Sequence, residues 1–149
     1  MTQLNLPKYN HRLKREDNTV YIFDTIRKKY LVLTPEEWVR QNFVHFLIEE
    51  KGYPNSHFSI EKGIKVSNTQ KRVDIVVYNR DRQIEVLVEC KAPEVKITQN
   101  TFDQIARYNM TLDAKYLVVT NGINHYFAQL DYKNKKYIFL KELPSYPNK

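Results

Sequence analysis

The stretch that most constrains this chain is Arg72 to Pro93, RVDIVVYNRDRQIEVLVECKAP. Two short apolar runs flank the polar turn NRDR, which is the pattern of a β-hairpin, and Pro93 stops the second run. These runs nevertheless carry Asp74, Glu89 and Lys91. An unpaired buried charge is costly, so the three either face water or share a task. Side chains alternate along a strand, which places Glu85, Leu87, Glu89 and Lys91 on one face and Val86, Val88 and Cys90 on the other. Positions 74 and 89 lie nearly symmetrically about the turn, so the hairpin register brings their carboxylates within reach of each other. Two carboxylates so placed repel unless a proton or cation sits between them, and such oxygen ligands suit Mg²⁺ or Mn²⁺. A lysine two residues on supplies an ammonium that can position a water and stabilise charge developing on a phosphate.

The rest of the chain reads as elements that could hold this hairpin. Residues 11 to 33 run as short alternating stretches separated by turn residues, which predicts a small antiparallel meander. A helix is expected over 35–51, with Thr34 as its N-cap, Pro35 at the first helical position, and Gly52 and Pro54 ending it. Strands are predicted at 58–66, 72–79 and 84–91, a second helix near 98–111, then a buried strand in KYLVVT and two more in HYFAQLD and KYIFLKEL. The expected organisation is one domain, with residues 1–33 as an N-terminal β extension, 34–143 as the core, and 144–149 as a loose tail.

The two glutamates that open the first helix are expected to differ. Glu37, at the third helical position, fits a capping box with Thr34. Glu36 falls near the centre of the stripe formed by Val39, Phe43, Phe46 and Leu47, where a carboxylate needs a partner; a salt bridge to Arg40 is the plainer alternative. Among the basic positions, Lys71 and Arg72 directly precede Asp74 and stand where a nucleic-acid backbone would enter. Cys90 is expected to be a packed core thiol, and the four histidines share no ligand spacing.

Composition narrows the classes. The net charge of +7 suits a polyanionic partner and serves solubility equally well. None of the three glycines stands in a phosphate-cradling spacing, which argues against a nucleotide-driven motor within this chain. The first residues lack the apolar core of a signal peptide, no apolar run approaches a membrane span, and the single cysteine has no disulfide partner; a cytoplasmic, non-membrane protein is the expectation.

Asp74, fourteen intervening positions, and then Glu89-Cys90-Lys91 resemble the D…(D/E)-x-K signature of the PD-(D/E)XK nuclease superfamily, with Val73 in place of the proline that usually precedes the aspartate. The flanking stretches KRVDIVVY, VLVECKAP, QIARYN and LVVTNG are similar to the N-terminal nuclease domain of type I restriction enzyme R subunits, in its short stand-alone version. The resemblance implies an α/β fold, restriction-endonuclease-like, with a mixed central sheet flanked by helices, here carrying the N-terminal meander as an addition. It implies that Asp74, Glu89 and the Cys90 carbonyl hold Mg²⁺ or Mn²⁺, that Lys91 is catalytic, and that Glu36 reaches the metal directly or through water. It further implies that Gln104 and Tyr108, in the Q-x-x-x-Y spacing of similar nucleases, position the lysine, the water or a DNA phosphate, against a plain helix-surface pair.

The expected activity is therefore metal-dependent endonucleolytic hydrolysis of DNA. The alternatives are a catalytically silent DNA-binding module and a protein-interaction domain on the same fold. DNA is the expected partner, and a homodimer and a separate motor or restriction-modification subunit are further candidates, because the R subunits carry their motor downstream of this region.

Overall fold

A computed structural model describes residues 1–66 and 69–147, including all their side chains except those of residue 62 and residues 64–71. Strands β1 (Leu13–Glu16), β2 (Thr19–Asp24) and β3 (Lys29–Val32) form an antiparallel meander. Helix α1 (Pro35–Glu49) follows, then β4 (Phe58–Val66), β5 (Thr69–Tyr78), β6 (Ile84–Cys90), helix α2 (Gln99–Asn109), β7 (Tyr116–Thr120), β8 (His125–Asp131) and β9 (Lys136–Leu140). The last six strands pair in the order β4-β5-β6-β7-β8-β9, antiparallel throughout except for the parallel β6–β7 pair that α2 bridges. This is the expected mixed sheet, with the expected additional meander. No described helix is long and apolar enough to cross a membrane.

Local chemistry explains the helix ends. The Thr34 hydroxyl accepts the Glu37 N–H at 3.0 Å, and Pro35 occupies the first turn, where its missing donor costs nothing. At the other end Gly52 adopts φ +76°, and the Tyr53 N–H turns back to the Leu47 carbonyl at 3.1 Å. Thr98 caps α2 by accepting the Thr101 N–H at 3.1 Å.

Both faces of the sheet are covered. Val39, Phe43, Val44 and Leu47 of α1 pack on Ile75, Val77, Val86, Val88, Cys90 and Val118. Phe102 and Ala106 of α2 pack on Val76, Leu87, Leu117 and Val119 of the opposite face. Leu87 thus points away from Val86, Val88 and Cys90, as strand alternation predicts. The stretch expected to be a loose tail is docked as far as Tyr146, whose N–H reaches the Lys51 carbonyl at 2.8 Å while its ring packs edge-on to Tyr53.

Candidate functional site

The hairpin register is regular where it is buried: Ile75 opposes Val88, Val76 opposes Leu87, and Val77 opposes Val86. Asp74 and Glu89 are the residues next to the first of these pairs, Ile75 and Val88. The neighbouring ladder is irregular at this level. Strand β4 pairs Ile60 with Ile75 and then Lys62 with Val73, and the residue between, Glu61, takes a left-handed φ of +51°. Val73 packs with the α2-side cluster while Ile75 packs with the α1-side cluster, so simple alternation slips at Asp74. The result is a carboxylate turned toward α1 at the carboxyl end of β6. Its Oδ1 accepts from Arg40 Nη1 at 3.1 Å, and its Oδ2 accepts from the Cys90 N–H at 2.7 Å.

Arg40 is the centre of this corner and is 4% exposed. Its Nη2 and Nε donate to the two carboxylate oxygens of Glu37 at 2.9 and 3.2 Å, a two-point fork, and its Nη1 is shared between Asp74 and Glu61 Oε1, the latter at 2.9 Å. Arg27 repeats the arrangement one layer out, giving Nε to Asp24 at 2.7 Å and Nη1 to Glu61 at 3.2 Å. Gln41 closes the circuit by donating to both Asp24 and Glu37, at 3.1 and 2.8 Å. Asp24 ends β2, so this network ties the N-terminal meander to Asp74.

Four carboxylates here face two guanidiniums, and the imbalance is felt at Asp74. Burial pushes its carboxyl up from the usual range and Glu61 adds to this, against the opposing pull of the Cys90 N–H, Arg40 and Lys91. Glu36 is also raised, first by partial burial and then by the charge of Asp74, with Arg40 and Lys91 acting in the other direction. Asp74 and Glu36 thus both feel the charge of Lys91, although the three come from separate segments. The Lys91 N–H donates to the Thr120 carbonyl at 2.8 Å, so β7 holds the lysine backbone where β6 ends.

The two helix-opening glutamates are reversed relative to the sequence expectation. Glu37 is buried, at 6% exposure, and Glu36 is exposed. A helical wheel assumes a single apolar stripe, but the first turns of α1 are enclosed by the meander on one side and β4–β5 on the other. The buried arc there is broad and polar, taking in Glu37, Arg40, Gln41 and Asn42. Only half of the capping box forms: the Glu37 N–H bonds Thr34, but its carboxylate serves Arg40 and Gln41. Arg40 and Glu61 are the site residues that sequence reasoning missed, with Arg40 considered only as a partner for Glu36. The spacing Glu37-x-x-Arg40, one turn apart on a helix that opens beside a strand, was the available signal.

The remaining candidates fall as follows. Glu89 and Lys91 are half-buried, and Glu89 lies beside Val119 of β7. The charges of both Asp74 and Glu89 reach the Cys90 thiol. The Cys90 thiol packs in the core as expected, where burial first and the charge of Asp74 second push its pKa up. Gln104 and Tyr108 both lie on the exposed side of α2, Tyr108 being 54% exposed, while Phe102, Ala106 and Asn109 face the sheet. An outward-facing pair is accessible to solvent and to a nucleic-acid backbone. Arg72 is exposed, with Nη1 3.7 Å from Glu61. The Lys71 side chain lies outside the described residues.

The donor chemistry fits a hard divalent cation only in the manner of Mg²⁺ or Mn²⁺, which can use one or two carboxylates and keep several waters. No three His, Cys, Asp or Glu side chains among the described residues gather into a cage for a metal ion. One oxygen of Asp74 is meanwhile shared with a guanidinium.

Fold and corner together define the class: a mixed α/β domain that collects acidic and basic residues at the carboxyl end of a parallel strand. The profile of the family described as type I restriction enzyme R protein N terminus (HSDR_N) matches residues 35–144, and the chain belongs to that family. A solved structure of a fragment assigned as an HsdR subunit of a type I restriction enzyme from Vibrio vulnificus YJ016 is similar, with a TM-score of 0.52 and 24% identity over 76% of this chain. This chain spans 24% of that one, and the likeness is one of fold. Comparison with curated proteins gives no match.

Proposed function

We propose that this protein is a PD-(D/E)XK-type nuclease that hydrolyses DNA phosphodiester bonds in the presence of Mg²⁺ or Mn²⁺. The observation that carries the reading is the hydrogen bond that sets the Asp74 carboxylate on the Cys90 N–H, between Glu89 and Lys91 at the end of β6, within a family described by the N terminus of type I restriction enzyme R proteins. Asp74, Glu89 and the Cys90 carbonyl would hold the divalent ion, which when bound polarises a phosphoryl oxygen. Lys91 orients a water for attack and neutralises charge that develops on the phosphate. Glu36 is exposed beside Asp74 and accepts a hydrogen bond from that water. Arg72 and Lys71 contact the incoming backbone, as do Gln104 and Tyr108 from α2. A separate motor or restriction-modification subunit remains a proposed partner, in a cytoplasmic setting.

Calorimetry with Mg²⁺ and Mn²⁺ tests the metal assignment: the wild type should give a saturable binding heat that Asp74→Ala and Glu89→Ala each remove. Unchanged affinity in both variants rejects the metal site. Glu36→Gln, assayed on plasmid and single-stranded DNA, should slow cleavage while changing unfolding free energy by less than about 0.5 kcal/mol, as is usual for an exposed position. Wild-type cleavage by Glu36→Gln excludes it from the reaction. If the wild type neither binds nor cuts nucleic acid with either cation, the protein-interaction alternative takes precedence.

A further inference from the structure

The N-terminal meander, which precedes the family-matched segment 35–144, has two unlike faces. Its inner face seats Ile22 and Asp24, both essentially fully buried. Its outer face carries side chains in two rows that cross all three strands. Register places Lys14, Tyr21 and Val32 in one row. Phe23 and Tyr30 stand in the next, joined by Arg12, whose carbonyl accepts the Phe23 N–H at 2.8 Å. The three rings are half-exposed and Val32 is 50% exposed.

Cations and rings interleave on this face. The Arg12 guanidinium stands 4.3 Å from the Phe23 centroid and 5.9 Å from that of Tyr30. The Lys14 ammonium stands 4.4 Å from Tyr30 and 5.8 Å from Tyr21. Glu16 pairs with Lys14 at 2.8 Å. From Arg12 to Val32 six Lys and Arg outnumber three Asp and Glu, and Arg27 and Asp24 pair with each other in the inner corner, which leaves five cations against two acids on the rest of the meander.

We infer that this outer face binds a single-stranded segment of nucleic acid, with bases stacking on Tyr21, Phe23 and Tyr30 and phosphates meeting Arg12 and Lys14. Any base offers a π-face to an aromatic ring, and a strand whose bases are unstacked carries a phosphate for every base, so rings flanked by cations match its repeat. Duplex DNA would use the cations and leave the rings idle, and an apolar protein segment would use the rings and leave the cations unmatched. The inference shares with the nuclease reading only the assumption that the ligand is nucleic acid; it needs neither Asp74 nor a metal.

The test uses the whole chain in EDTA, with fluorescence anisotropy of a labelled oligothymidine and of a duplex of equal length. Tyr21→Ser with Tyr30→Ser should weaken oligothymidine binding by roughly tenfold or more for each stack lost, with duplex binding little changed. Tyr21→Phe with Tyr30→Phe should retain wild-type affinity. Arg12→Gln with Lys14→Gln should weaken both ligands and flatten the salt dependence by a slope of about one to two. Val32→Glu, at an exposed position that removes no ring, should also weaken binding, and it answers the question if the serine variant melts early. Equal oligothymidine affinity in wild type, serine variant and Val32→Glu overturns the inference. So does a loss confined to the cation variant, which would mark a purely electrostatic surface, and so does absence of binding by the wild type, which would leave the face to a protein partner. Cleavage that fails while EDTA binding persists touches only the nuclease reading.

Discussion

Lys91→Ala is expected to lower the rate of phosphodiester cleavage by about 10²-fold or more while leaving metal and DNA binding in place, because aligning a nucleophile and stabilising developing charge are typically worth that much. The backbone of Lys91 is held by Thr120, and its ammonium influences Asp74 and Glu36, so truncating the side chain removes charge without loosening the strand. Single-turnover cleavage with saturating protein separates this outcome from a binding defect. A variant that cuts at the wild-type rate removes Lys91 from the chemistry. Lys91→Arg should not restore full activity, since a planar fork cannot place a water as a compact ammonium does.

Arg40→Met is expected to destabilise the fold by about 3–5 kcal/mol, the range seen when one partner of a buried ion pair is deleted. The substitution leaves Glu37, Glu61 and Asp74 close together, with Arg27 the one described guanidinium still hydrogen-bonded to the group and Arg72 and Lys91 at its rim. Burial by itself would favour a neutral arginine, but Glu37 first and Asp74 next outweigh it and hold the guanidinium charged. Urea denaturation measures the loss directly. Divalent cation should restore part of it if Asp74 is a metal ligand, because the ion replaces the missing positive charge. A loss below about 1 kcal/mol would show that solvent screens this corner as it screens surface ion pairs. Glu37, which sequence analysis assigned only to a cap, belongs to the same buried set and should cost more than a cap residue when truncated.

How far the sequence could be read differs from element to element. Helix α1 was legible from Thr34 and Pro35 at one end and Gly52 at the other, since caps and left-handed glycines act over a few residues. The β5–β6 hairpin was legible from two apolar runs about a polar turn, and its buried register followed. The split of the core between two helices was legible from the alternation of Val86, Leu87 and Val88. The corner that joins Asp74 to Arg40 was not. It depends on a left-handed Glu61 that breaks the β4–β5 ladder, and on the meander folding back so that Asp24 and Arg27 enclose the first turns of α1. A wheel drawn for a helix with one packed side therefore exchanged the roles of Glu36 and Glu37. The Gln104 and Tyr108 spacing correctly put both residues on one face of α2, but which face met the sheet was settled by Phe102 and Ala106.

By itself the sequence determined the strands, the helices and the acidic and basic residues gathered near one strand end, because hydrophobic period, caps and turns are local and each residue carries its own preference. It also determined the family, through the matched segment from residue 35 to 144. Only the tertiary structure decided which carboxylates are buried, which guanidinium neutralises them, and which side chains reach Asp74. Those outcomes depend on charges brought together from segments more than thirty residues apart, as Arg40 and Asp74 are, and the balance between desolvation and pairing exists only once the surrounding elements have closed around them.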